Sequence, residues 1–285
     1  MELDLSLTGI RITRKCSLHK LTEFYQEPAD QERAKLAVLL RYPLEKADHR
    51  PNGVVVIPAF NEEATISDVI TSAFRHADLP VWVVDDGSTD LTKERALTAG
   101  ARVLSLPFQI GAWGATQTGL RYAHELRVDF AITMDADGQH DPASAEDLLE
   151  TVVSGKADVA LGTFEARGSG LRRVAWKMMG LASGLDFRDP TSGYRAMNAS
   201  AIKALTSSAA SMLDHQDIGV LILLVRARLR ISEIPVNMFP RKSGQSRIFS
   251  TWRVVFSYMI HTLSLALAKR QLRRNQPSKQ RNTAA

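Results

Sequence analysis

Phe130-Ala-Ile-Thr-Met-Asp-Ala-Asp-Gly-Gln-His-Asp-Pro142 decides how this chain folds and where its chemistry sits. Phe130–Met134 reads as a strand buried in a sheet, and it stops directly on Asp135. Asp135 and Asp137 then follow at spacing i, i+2. Two carboxylates at a strand end can share one hard divalent cation, which takes oxygen ligands from protein and phosphate alike. Gln139 and His140 are close enough in sequence to complete or support that shell. An Asp-X-Asp triplet alone is more often a solvated turn or a helix cap. Its place in the chain gives it weight.

Upstream, Pro51-Asn-Gly53 punctuates the chain and regular alternation begins. Val54–Ile57 is a continuous apolar run, followed by a helix expected over about Ala64–Arg75 and a second strand at Val81–Val84. Asp86-Gly-Ser-Thr-Asp90 reads as a turn and helix cap, with a helix running to about Thr98. A third strand, Arg102–Leu106, precedes a helix across Ala115–Leu126, and Phe130–Met134 is the fourth strand. Four strand–helix alternations with short joins argue for an α/β fold with a parallel, doubly wound sheet. Downstream come a helix at Ala143–Val153, a strand at Asp158–Leu161, a looser Gly- and Arg-containing stretch, a helix at about Asp217–Arg228 and a strand at Ile231–Val236. A last helix is expected over about Thr251–Leu272.

Ligands of open α/β sheets bind beyond the carboxyl ends of the strands. Pro58-Ala-Phe-Asn-Glu-Glu63, Asp85-Asp-Gly-Ser-Thr-Asp90 and Asp135-Ala-Asp137 all fall there, after the first, second and fourth strands. The first of these turns has no glycine, which disfavours a dinucleotide-binding dehydrogenase. Gly111-Ala-Trp-Gly114 lacks the Gly-Lys-Ser/Thr ending of a P-loop, and no Gly-X-Ser-X-Gly elbow occurs. A single cysteine, Cys16, excludes an intrachain disulfide framework and a cysteine-based zinc site.

In this order, Pro58-Ala-Phe-Asn-Glu62, Val84-Asp-Asp-Gly-Ser-Thr-Asp90, Asp135–Pro142, Asp189-Pro-Thr-Ser-Gly-Tyr-Arg195, Glu233-Ile-Pro-Val236 and Arg241-Lys-Ser-Gly-Gln-Ser-Arg247 resemble the motifs of family 2 glycosyltransferases. Within that family the sequence is most similar to the polyprenyl- and dolichyl-phosphate sugar synthase branch, over about residues 53–265. The resemblance implies a GT-A fold, a Rossmann-like, mostly parallel sheet flanked by helices, with a C-terminal amphipathic helix. It further implies inverting transfer of a sugar from a nucleoside diphosphate sugar to a polyprenyl phosphate. The alternative acceptor is a saccharide hydroxyl in cell-surface polysaccharide synthesis.

Carried onto this chain, the resemblance makes Pro58, Ala59, Phe60 and Glu62 the lining of the nucleoside pocket and Asp86 a contact to base or ribose. Asp135, Ala136 and Asp137 would meet the donor diphosphate, with Asp135, Asp137 and Gln139 holding Mg2+ or Mn2+. Arg241 and Arg247 would close over the donor phosphates, a role that suits the guanidinium fork. Ser192 and Arg195 would face the acceptor, and Asp137, Asp217 and Arg195 would carry catalysis. Asp217 would serve as general base for a hydroxyl acceptor; an anionic phosphate needs none, and the residue would then orient the acceptor or cap a helix. One departure stands out. Where the branch carries Gly-Ser-Arg after the fifth strand, this chain reads Gly162-Thr-Phe164, so an acceptor-phosphate arginine is missing or replaced by Arg167.

The formal charge of +5 comes from the end of the chain. Of 36 basic residues, Lys269, Arg270, Arg273, Arg274, Lys279 and Arg281 lie there without an acid; the remaining 30 face 31 acidic residues, a net of −1. Phe249, Trp252, Val255, Phe256, Met259, Ile260, Leu263 and Leu267 recur at helical spacing between basic flanks. That pattern suits a helix lying in an anionic membrane interface, with peripheral contact through residues 249–274. The competing use of the stripe is packing on the domain or on a second subunit, as a homodimer. No nucleic-acid partner is expected. No segment reaches the ~20 apolar residues of a bilayer span, and Met-Glu-Leu-Asp-Leu-Ser is not a secretory signal, so the expected location is cytoplasmic, at the inner face of the membrane. The expected organisation is an N-terminal extension (1–50), a GT-A domain (51–247), an interface helix (248–272) and a basic, disordered tail (273–285).

Overall fold

The structure, a computed structural model, describes residues 52–164, 176, 187–213 and 218–239. Seven strands form one sheet: β1 (Gly53–Ala59), β2 (Val81–Asp85), β3 (Arg102–Ser105), β4 (Phe130–Thr133), β5 (Val159–Thr163), β6 (Arg195–Asn198) and β7 (Ile231–Pro235). Their order is β3-β2-β1-β4-β6-β5-β7. The helices are α1 (Ile66–Ala77), α2 (Thr92–Thr98), α3 (Gly111–Glu125), α4 (Ala145–Val153), α5 (Ala199–Leu205), α6 (Ser208–Ser211) and α7 (Ile218–Arg226), with a 3-10 turn at Pro142–Ser144.

β1 and β2 are buried along their whole length, as their unbroken apolar runs require of strands covered on both faces. Alternation along the pleat sends Val55 and Ile57 to one side, where they join Ile66, Val69, Ile70 and Ala73 of α1 and Leu148, Leu149 and Val152 of α4. Val56 and Val84 point to the other side and meet α3 at Gly119. A Cβ at Gly119 would collide with Val56 Cγ1 and lie 3.1 Å from Val84 Cγ2, so glycine sets how closely α3 approaches the sheet. On that side Trp113 Nε1 donates to Ala210 O at 2.9 Å and Gln117 Nε2 to Leu205 O at 2.9 Å, fixing α3 against α5 and α6.

The four early strands and their helices fall where the sequence pattern puts them, and three differences have physical causes. First, α3 starts at Gly111 rather than about Ala115, because Asp86 supplies a cap from outside the segment. Second, the sheet is not wholly parallel: β6 runs antiparallel between β4 and β5, pairing Thr133 with Arg195 and Leu161 with Arg195. Third, α5 and α6 follow β6 directly, started by Asn198 and Ser207, whose side chains accept from Ala201 N and Ala210 N. The helix expected over about Thr251–Leu272 lies outside the described residues.

Candidate active site

Parallel neighbours end on the same rim, so the order β2-β1-β4 brings the first, second and fourth strand ends together. Antiparallel β6 begins at that rim, and β5 and β7 end there. The Asp189–Tyr194 loop that feeds β6 therefore belongs to the same edge as Asp135.

The loops after β1 and β2 are tied to each other. Asn61 adopts a left-handed φ of 53°, a conformation Asn tolerates better than most side chains. Its N–H donates to Ser88 Oγ at 3.0 Å, and its Oδ1 accepts from Thr89 N at 2.8 Å. Glu62 N donates to Thr92 Oγ1 at 2.8 Å and Glu63 N to Asp90 Oδ2 at 3.2 Å. Burial works against ionisation of Asp90, yet hydrogen bonds from Thr92 and from the Glu63 backbone hold its carboxyl below the usual aspartate value. Pro58 and Ala59 are buried as the last residues of β1, whereas Phe60 and Glu62 are half-buried on the loop itself.

Asp86 is placed differently from a residue that only reaches outward. It is 2% exposed, and its two oxygens accept from Ile110 N at 2.7 Å and Gly111 N at 2.9 Å. Both N–H groups open α3 and would otherwise lack partners, so the carboxylate caps that helix and complements its dipole.

The turn after β4 is built from inside. Thr65, buried at the head of α1, donates its hydroxyl to Ala136 O at 2.8 Å. Asp137 is 7% exposed, and its Oδ1 accepts from Gln139 N at 3.0 Å across Gly138, whose φ is +72°. Asp135 is half-buried; its N–H donates to His140 Nδ1 at 3.2 Å, and its Oδ2 lies 3.6 Å from His140 Nε2. His140 stacks on Tyr194, with ring centroids 4.9 Å apart and planes at 9°. Tyr194 in turn donates its hydroxyl to Asp141 O at 3.1 Å. Burial, with Asp141 and Asp147 adding negative charge, pushes that phenol far above its ordinary pKa, so it stays a donor. The chain leaving β7 then runs beside this turn. Phe239 N donates to Gln139 O at 2.7 Å, and Met238 forms an antiparallel bridge with His140. Arg241 follows two residues later.

On the other flank, Thr133 Oγ1 donates to Gly193 O at 2.7 Å and holds the Asp189–Tyr194 loop against the end of β4. Ser192 is buried, its Oγ accepting from Tyr194 N at 3.3 Å, and Arg195 is 2% exposed within the sheet. Asp189 is fully buried, with Oδ1 accepting from Thr191 Oγ1 at 2.9 Å. Arg188, exposed at the start of this loop, donates its backbone N–H to Glu233 Oε1 at 2.7 Å. Asp217, Arg241, Arg247 and Arg167 lie outside the described residues, as does the stretch 249–274.

The donor set at the β4 end suits a hard cation. Asp135 and Asp137 offer only oxygen, and the described residues contain no group of three or more His, Cys, Asp or Glu side chains able to hold a metal alone. A Mg2+ or Mn2+ ion here would take the rest of its shell from diphosphate oxygens, Gln139 or water. Asn61, Thr65, Tyr194 and Arg188 were not singled out by sequence reasoning. Asn61 was signalled only by its place in Pro-Ala-Phe-Asn; Thr65 and Tyr194 act through contacts between distant segments.

The family described as glycosyl transferase family 2 matches residues 54–210. An undecaprenyl-phosphate mannosyltransferase of Micrococcus luteus is 31% identical over 215 residues, covering 68% of this chain and 86% of that protein. A UDP-N-acetylglucosamine–dolichyl-phosphate N-acetylglucosaminyltransferase of Methanococcus voltae is 28% identical, with 68% and 88% covered. Among solved structures, glucosyl-3-phosphoglycerate synthase of Mycobacterium tuberculosis with phosphoglyceric acid superposes with a TM-score of 0.60 at 25% identity, covering 78% of this chain and 80% of that one. The same enzyme with Mn2+, UDP-glucose and phosphoglyceric acid gives a TM-score of 0.58 at 23% identity, with 78% and 80% covered.

Proposed function

Because the chain belongs to glycosyl transferase family 2, we propose that it transfers a sugar, with inversion, from a nucleoside diphosphate sugar to a polyprenyl phosphate. The observation that carries this reading is the convergence on one rim of the glycine-free loop after β1 and the carboxylate turn after β4, joined by the Thr65–Ala136 hydrogen bond. In this reading Pro58, Ala59, Phe60 and Glu62 form the nucleoside wall, and Asp135 and Asp137, aided by Gln139, face the diphosphate. An acceptor phosphate oxygen attacks the anomeric carbon as the bond to the diphosphate oxygen breaks, and the nucleoside diphosphate leaves with the electron pair. Asp135 and Asp137 would hold a divalent cation, which would supply charge neutralisation for that leaving group. Arg241 and Arg247 close over the donor phosphates. Ser192 and Arg195 face the acceptor in this reading, Arg188 stands exposed at the start of the same loop, and Asp217 orients the acceptor.

The relatives that act on undecaprenyl and dolichyl phosphate support the lipid acceptor. A second reading, transfer to a hydroxyl with Asp217 as general base, draws on Gly162-Thr-Phe164 in place of the arginine-bearing loop and on the fold shared with a phosphoglycerate-binding synthase. A membrane acceptor would be met at the inner face of the membrane through residues 249–274. No helix among the described residues is long and apolar enough to cross a membrane.

The deciding experiment incubates the full chain with Mn2+ and UDP- and GDP-sugars, in separate arms with polyprenyl phosphate, an oligosaccharide and phosphoglycerate. Sugar transfer to the lipid alone is expected; turnover that ignores the lipid and requires a hydroxyl acceptor replaces the first reading with the second. Asp137→Ala is expected to abolish metal-dependent nucleotide binding, and unchanged binding removes the donor site from this turn.

A further inference from the structure

We infer that His140 is a positioning residue for Asp135, fixing the carboxylate turn and the incoming chain before Arg241 in one register. The inference rests on the donor-site reading above. His140 is 3% exposed and is held from three directions. Its face stacks on Tyr194, which belongs to the loop feeding β6. Its Nδ1 accepts the Asp135 N–H at 3.2 Å, and its Nε2 lies 3.6 Å from Asp135 Oδ2. Its backbone bridges to Met238, and the flanking bonds Phe239 N to Gln139 O (2.7 Å) and Asp141 N to Asn237 O (3.4 Å) extend that pairing.

One imidazole therefore touches the backbone and the carboxylate of the same candidate ligand, while its own main chain meets the segment that leads to Arg241. The Asp135 N–H bond fixes where the turn leaves β4, and the Nε2 edge of the same ring lies 3.6 Å from the Asp135 carboxylate. Oriented this way, a carboxylate meets a cation without first giving up rotamer freedom, the service that outer hydrogen-bond partners give to metal ligands. Tyr194 contributes by holding the ring plane, and its hydroxyl ties the stack to Asp141 O.

The test measures Mn2+ binding by the fall in free-ion electron paramagnetic resonance signal, with saturating UDP or GDP in separate arms and no sugar acceptor. His140→Phe keeps a ring on Tyr194 and removes both nitrogens. It is expected to lose about tenfold or more in Mn2+ affinity, the scale of an outer-partner mutation. His140→Asn places a carbonyl near the Nδ1 position and is expected to restore most of that loss, whereas His140→Gln is not. Wild-type Mn2+ affinity in His140→Phe overturns the inference. Should His140→Phe fail to fold, the comparison rests on the two amides: Asn must bind Mn2+ more tightly than Gln, and equal affinities overturn it. Asp135→Asn and Asp137→Ala run alongside. If both bind Mn2+ as the wild type does, the donor-site reading itself falls, and the inference with it. If they lose the ion while His140→Phe keeps it, only the inference fails.

Discussion

The Thr65 hydroxyl and the Ala136 carbonyl meet at 2.8 Å, joining the start of α1 to the middle of the Asp135–Asp137 turn. Both residues are buried, so water cannot replace either partner. Thr65→Val keeps the shape and deletes the donor, leaving the Ala136 carbonyl unsatisfied at a cost of about 1–3 kcal/mol. The urea midpoint should fall accordingly, and Mn2+-dependent nucleotide affinity should fall with it because the turn loses its inner anchor. If both measurements match the wild type, this bond does not organise the site.

Asp86 offers a way to separate a cap from a nucleoside contact. Its oxygens receive the Ile110 and Gly111 N–H groups, so Asp86→Ala should destabilise the ligand-free protein by about 0.5–2 kcal/mol through α3. Thermal unfolding without nucleotide measures this. A variant with unchanged melting and lost nucleotide affinity would assign Asp86 to base or ribose instead.

Gly119 admits α3 to within contact of Val56 and Val84. Gly119→Ala should cost about 1–3 kcal/mol by overpacking. Trimming the opposing side chain in the double variant Gly119→Ala/Val56→Ala should recover part of it, because the two positions share one space. Strictly additive losses in urea melts would show that the helix is not held at this distance by Gly119.

At the opposite end of the sheet, Asp158 accepts from Arg230 N at 2.8 Å, Arg230 Nε at 3.2 Å and Asn198 Nδ2 at 3.0 Å. Hydrogen bonds from Arg230 hold the Asp158 carboxyl below its ordinary value of 3.8. A depressed folded pKa means that the stabilisation is present in full above the unfolded value and is lost as pH falls through the folded one. Asp158→Asn should therefore cost about 1 kcal/mol near neutrality, a modest figure because Arg230 is exposed, and the gap to wild type should close below about pH 4. Stability curves that stay parallel through the acid range would deny Asp158 this role.

Much of the fold could be read without coordinates because it is local. Val54–Ile57, Val81–Val84 and Phe130–Met134 are apolar runs that only a sheet covered on both faces can use, and each ends on a polar cluster. β6 could not be read that way. Arg195-Ala-Met-Asn198 carries Arg and Asn in a short segment, and it becomes a strand because β4 and β5 present unpaired edges to it on either side. The start of α3 was hidden for a related reason, since its cap comes from Asp86, just past the end of β2.

The sequence alone determined that Asp135 and Asp137 stand at a strand end among other polar strand ends, because strand and loop character are written in neighbouring residues. Only the tertiary structure decided which groups hold them there. Thr65, Tyr194 and the segment through Phe239 act across long separations in the chain. Hydrogen bonds between distant residues leave no period in a sequence, since their partners are chosen by the packing of the finished sheet.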